Sequence, residues 1–95
     1  MQSQDFLGKK FKRAPDCAFR EIEGEVFIVS SKTAGVHLLN AVGTFIWNHL
    51  DGEKTLGEIA DAIAGEFDVE IAEANRDAKE FIEEIIKSGI IQELP

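Results

Sequence analysis

An α+β fold of winged helix-turn-helix type, with three short antiparallel N-terminal strands followed by three helices, is predicted by three observations. Two apolar, partly β-branched runs flank Glu23-Gly24. Three later segments repeat apolar residues at helical spacing, each with recognisable punctuation at its ends. The chain has 95 residues, enough for one core and not for two.

The elements follow in order. Residues 1–12 read as a flexible N-terminal arm ahead of a single domain at 13–95, because Met1 to Lys10 is polar and without periodicity. The KKFKR run, Lys9 to Arg13, reads as a solvated tail, with contact to an acidic partner or an anionic surface as the other reading. Ala14-Pro15-Asp16 marks entry into the fold, since a residue before proline favours extended geometry. Strands are expected at 18–22 and 26–30, joined by a hairpin in which Gly24 supplies positive φ. Gly35 to Leu39 is a third extended run that leads directly into a helix, which places its backbone at a sheet edge.

Asn40 is suited to cap the first helix, in which Val42, Phe45, Ile46, His49 and Leu50 recur at helical spacing, with Trp47 beside them. Gly43 inside that helix points to close packing by another backbone or a bulky ring. Asp51-Gly52 is expected to end the helix, with Gly52 in the left-handed C-terminal position. Thr55 and Glu58 form a capping box for the second helix, whose stripe is Leu56, Ile59, Ala60, Ile63, Ala64 and Phe67. Asp68-Val69 breaks it. The third helix is read from Glu70 to Ser88, with Ile71, Ala74, Ala78, Phe81, Ile82, Ile85 and Ile86 on its apolar side. Gly89 ends it, and Ile90 to Glu93 forms a last short strand or seals the core.

Composition limits the function. The chain is 44% apolar and 29% charged, with net charge −8. Residues 1–50 carry six Lys/Arg and five Asp/Glu; residues 51–95 carry four and thirteen. The half holding the second and third helices therefore repels a polyanion, which argues against nucleic acid as a partner. No apolar run approaches a membrane span and no apolar signal region opens the chain, so neither a membrane partner nor secretion is expected. A single cysteine, Cys17, fits a reducing cytoplasmic setting.

No catalytic constellation is present. His37 and His49 lie in different elements without metal-ligand spacing, and there is no phosphate-cradling loop or nucleophile elbow. No enzyme activity, no metal and no cofactor are expected. A binding role follows. The helix-turn-helix outline raises DNA-binding regulation as the alternative, yet the second helix offers Glu58, Asp61 and Glu66 and no base. An edge strand beside a helical face instead suits an extended peptide.

The pieces Ile22-Glu-Gly-Glu, Leu38-Leu-Asn-Ala-Val-Gly43-x-x-Ile46-Trp47, Leu50-Asp-Gly-x-x-Thr55-x-x-Glu58-Ile-Ala60, Phe67-Asp-Val, Asp77-x-x-x-Phe81 and Gly89-Ile-Ile together resemble the PqqD-like family, over about residues 13–92. The resemblance implies a non-catalytic peptide chaperone, a recognition element in natural product biosynthesis. Such an element holds the leader of a ribosomally synthesised precursor peptide and presents it to a modifying enzyme, often a radical SAM enzyme. It implies a peptide strand added beside Gly35, Val36, His37, Leu38 and Leu39. It also implies contacts from the exposed side of residues 74–87, with Arg76, Lys79, Glu80 and Glu83 as candidates. The LNxxGxxIW and DGxxT pieces are expected to build the fold rather than touch the peptide. A monomer or a dimer is compatible with this reading.

Overall fold

This computed structural model describes residues 6–15, 17–30 and 35–95, among which hydrophobic alternation and capping set out two antiparallel sheets and three full helices. In chain order these are β1 (Lys10–Arg13), β2 (Cys17–Ile22), β3 (Glu25–Ser30), β4 (Val36–Leu38), α1 (Ala41–Asn48), β5 (Asp51–Thr55), α2 (Leu56–Phe67), α3 (Ile71–Ile85), a 3-10 turn (Ile86–Ser88) and β6 (Ile91–Glu93). One sheet runs β2-β3-β4 and the other β5-β1-β6.

The β2–β3 hairpin turns on Glu23 and Gly24, with φ of 52° and 82°. Two successive positive φ values match the right-handed twist of the flanking strands, that of Gly24 being the one expected. Pairing runs from Ile22↔Glu25 to Cys17↔Ser30, and β3 then pairs with β4 through Phe27↔Leu38, Ile28↔His37 and Val29↔Val36. Val26 and Ile28 point into the core and are fully buried. Their opposite numbers, Phe27 and Val29, share the outer face with Val36 and Leu38.

Each helix begins as its caps dictate. The Asn40 side chain accepts from the Gly43 N–H at 2.8 Å. The Thr55 hydroxyl accepts from the Glu58 N–H at 3.1 Å, and the Glu58 carboxylate accepts from the Thr55 N–H at 2.8 Å. Asp68, at φ 55°, closes α2 in the left-handed conformation, and Gly89, at φ 76°, follows the 3-10 turn. Ile46 and Trp47 of α1, Leu56, Ile59 and Ile63 of α2, and Ala74, Ala78 and Ile82 of α3 meet in one core with Ile90 and the β3 residues.

Two expectations are corrected. The N-terminal arm does not extend through residue 12. Lys10–Arg13 is the central strand of the second sheet, paired with β5 on one side and β6 on the other. The charge run hides a period of two: Lys10 and Lys12 face solvent, while Phe11 is 1% exposed inside the core. The other charges are engaged as well. Lys9 pairs with Glu93 at 2.7 Å. The Arg13 guanidinium lies over Phe19 and Trp47, 5.3 and 5.8 Å from the ring centres. The expectation for residues 1–5 falls outside the described residues.

The second correction concerns Gly52. α1 already ends at Asn48, with His49 as its C-cap at φ −103°. Gly52 does take a positive φ, 83°, but it does so inside β5. There the register slips: Lys10 opposes Thr55 and Lys12 opposes Asp51, so β5 carries extra residues in a bulge. The Asp51 carboxylate holds that bulge by accepting from the Glu53 and Lys54 N–H groups, at 2.9 and 3.2 Å. A side chain at 52 would press on Leu94, whose Cδ1 lies 3.1 Å from the position a Cβ would occupy.

Candidate peptide groove

β4 ends where α1 begins, and one buried hydroxyl manages the junction. The Leu39 N–H donates to the Val26 carbonyl at 2.9 Å, continuing the β3–β4 ladder. The return bond is not made directly. The Val26 N–H donates to Thr44 Oγ1 at 3.0 Å, and that hydroxyl donates to the Leu39 carbonyl at 3.3 Å. Thr44 thus bridges the ladder as the chain leaves the sheet, satisfies two buried backbone groups and ties α1 to β3.

The Leu39 bond also fixes which backbone groups of β4 are free. N–H and C=O groups of alternate residues point to the same side of a strand. His37 and Leu39 therefore face β3. Val36 and Leu38 turn their N–H and C=O groups to the open edge. Their side chains are 68% and 60% exposed. β2, the other edge of this sheet, carries Arg20 and Glu21; β4 is Val-His-Leu and has no such charged guard.

A groove of about 640 Å³ lies along that open edge. Val36 to Asn40 form one wall, and Asp77, Glu80, Phe81, Glu84, Ile85 and Ser88 of the α3 segment form the other. Val42, Gly43 and Ile46 of α1 lie between them as the floor. The Phe81 ring sits over Gly43, with its Cε1 3.1 Å from where a Cβ would stand, so the ring fills the space that the missing side chain leaves. His37 contributes a buried Nε2 with no hydrogen-bond partner among the described residues.

Of the candidate residues, the groove brings together Val36, His37, Leu38, Leu39 and Glu80. Gly35 is half-buried at the start of the strand, just outside the lining. Arg76 and Lys79 are not on this wall; they border a smaller hollow with Leu7, Ala72 and Asn75. Glu83 is exposed and also off the wall. The groove stripe instead runs Asp77, Glu80/Phe81, Glu84, Ser88, at spacings of three, four, seven and eleven from Asp77. Arg76, Lys79 and Glu83 form the adjacent stripe, one residue or about 100° away. Asn40, Val42, Gly43 and Ile46, read as scaffold, are both scaffold and floor. The solvent face of α2 shows Glu58, Asp61 and Glu66. Among the described residues there is no cluster of His, Cys, Asp and Glu arranged to hold a metal, and no helix is long and apolar enough to cross a membrane.

Solved structures share this fold. The chain resembles the solved structure of TbiB1 in complex with the TbiA(beta) leader peptide, at 28% identity and TM-score 0.78, covering 85% of this chain and 94% of that one. A lasso peptide synthetase B1, complexed with its leader peptide, matches at 19% identity and TM-score 0.76 over 90% and 99%. The PqqD truncation of Methylobacterium extorquens PqqCD, a stand-alone recognition element for ribosomally synthesised and modified peptides, matches at 14% identity and TM-score 0.73 over 97% and 99%. These last two likenesses speak for the fold alone. No curated protein matches the sequence. The family described as Coenzyme PQQ synthesis protein D (PqqD) matches residues 25–91, from β3 to the start of β6. That span holds β4, α1 and α3, the three elements that make the groove, and the chain belongs to the PqqD family.

Proposed function

We propose that this chain is a peptide recognition element. It holds the leader of a ribosomally synthesised precursor peptide by strand addition at β4 and presents the attached core to a modifying enzyme. The observation that carries the reading is the open edge of β4, with the Val36 and Leu38 backbone groups facing a groove walled by α3. Main-chain hydrogen bonds at the edge supply affinity, and alternate leader side chains drop toward Phe81 and the α1 floor. The family and the leader complex of the similar TbiB1 support the same role. The protein itself performs no chemistry on this reading. The modification belongs to a partner enzyme, for which a radical SAM enzyme is the first candidate.

Titration of ¹⁵N-labelled protein with the leader of the precursor from its own pathway tests the proposal. Amides of residues 35–39 and of the Asp77, Glu80, Phe81 and Glu84 stripe shift, while the Arg76 and Lys79 stripe moves less. A leader that is modified in the pathway yet leaves those amides unmoved overturns it.

A further inference from the structure

The groove also specifies the charge of its ligand, if a leader lies in it as an added strand. Asp77, Glu80 and Glu84 stand on its helical wall at i, i+3 and i+7, with Phe81 among them. Among the described residues, none of the three is ion-paired and no Lys or Arg lines the groove. The nearby cations of α3, Arg76 and Lys79, belong to the other stripe. Three carboxylates beside an apolar floor repel an anionic segment and attract a cationic one, more strongly than they would in open water.

We propose that the groove selects a leader segment whose helix-facing positions read basic, apolar, basic, at every second residue. The long stems of basic side chains bridge the spacing. Alternate side chains of a strand stand ~6.7 Å apart, so the two basic positions lie ~13.4 Å apart. Glu80 and Glu84 are separated by four helical residues, ~6 Å, and Asp77 and Glu84 by seven, ~10.5 Å. The central apolar side chain meets Phe81 and the Val42 floor, and the flanking basic side chains reach the carboxylates on their long flexible stems.

Two blocked fluorescent nonapeptides test this, with Thr at outward positions and either Lys, Leu, Lys or Glu, Leu, Glu at the alternate ones. Binding is followed by anisotropy and by amide shifts. The Lys peptide binds at least about tenfold more tightly at ~50 mM salt, and the preference shrinks at ~500 mM. The Asp77→Asn/Glu80→Gln/Glu84→Gln variant loses the preference. The Asp61→Asn/Glu66→Gln/Glu73→Gln variant, with the same net charge but changed away from the groove, keeps it. Equal affinity for both peptides, with Val36 and Leu38 amides shifted, overturns the charge selection and leaves strand addition standing. So does a preference lost equally in both variants. If neither peptide moves those amides, strand addition fails and the selection with it.

Discussion

Proline at position 36 separates the two sides of β4. The Leu39 N–H reaches the Val26 carbonyl, so alternation turns the Val36 N–H outward and the His37 N–H toward Ile28. Val36→Pro therefore removes a donor that has no partner in the free sheet, at a residue that is 68% exposed. Proline is tolerated on an edge strand in that orientation, and the folding free energy should change by less than about 1 kcal/mol. His37→Pro instead takes a donor out of the β3–β4 ladder and should cost about 2–3 kcal/mol. Binding responds in the opposite sense. Val36→Pro loses one leader hydrogen bond, about 0.5–1.5 kcal/mol, and its ring obstructs the incoming strand, so the leader Kd should rise about tenfold or more. Urea melts and titration calorimetry on the two variants give the comparison. If Val36→Pro unfolds the protein as readily as His37→Pro, or binds the leader normally, the parity argument is wrong.

Three further outcomes follow from the packing. Thr44→Val strands the Val26 N–H and the Leu39 carbonyl. It should cost about 2 kcal/mol, seen in a chemical melt, with Thr44→Ser recovering most of the loss. Phe11→Ala should cost about 3–5 kcal/mol, whereas a residue in a mobile arm would cost nothing. The Asp51 carboxyl is held well below the usual carboxylate range, first by the Glu53 N–H and then by the Lys54 side chain. A depressed folded pKa adds stability above the unfolded value of about 3.9, and this is lost as pH falls through the folded one. Asp51→Asn should therefore flatten part of the fall in melting temperature measured between pH ~5 and ~2.

Much of this architecture is legible in the sequence because local signals agree with tertiary ones. The Glu23-Gly24 hairpin, the Asn40 cap and the Thr55/Glu58 box are each set by residues within one or two turns of chain, while Gly43 signals a close approach that Phe81 of α3 makes. The second sheet is not legible in that way. β1 alternates over only four residues, three of them basic, and its buried member reveals itself only when β5 and β6 close around it. Gly52 signals positive φ without saying whether a helix end or a bulge needs it. The strand wall of the groove was readable, because the last of three consecutive extended runs pairs back on one side only before the helices begin. Of the helix wall, only Glu80 was. Arg76, Lys79 and Glu83 were favoured as exposed polar residues, whereas the groove uses Asp77 and Phe81, which are half-buried and look like the border of a core stripe. A rotation of one residue on α3 separates the two answers, and only the docked position of α3 decides between them.

Amide hydrogen exchange at four consecutive residues tests strand addition most directly. In the free protein the His37 and Leu39 amides should be protected by β3, while the Val36 and Leu38 amides exchange rapidly at the open edge. With saturating leader, Val36 and Leu38 should become protected as well, and His37 and Leu39 should change little. Val36 and Leu38 amides that still exchange rapidly in the saturated complex would contradict the account.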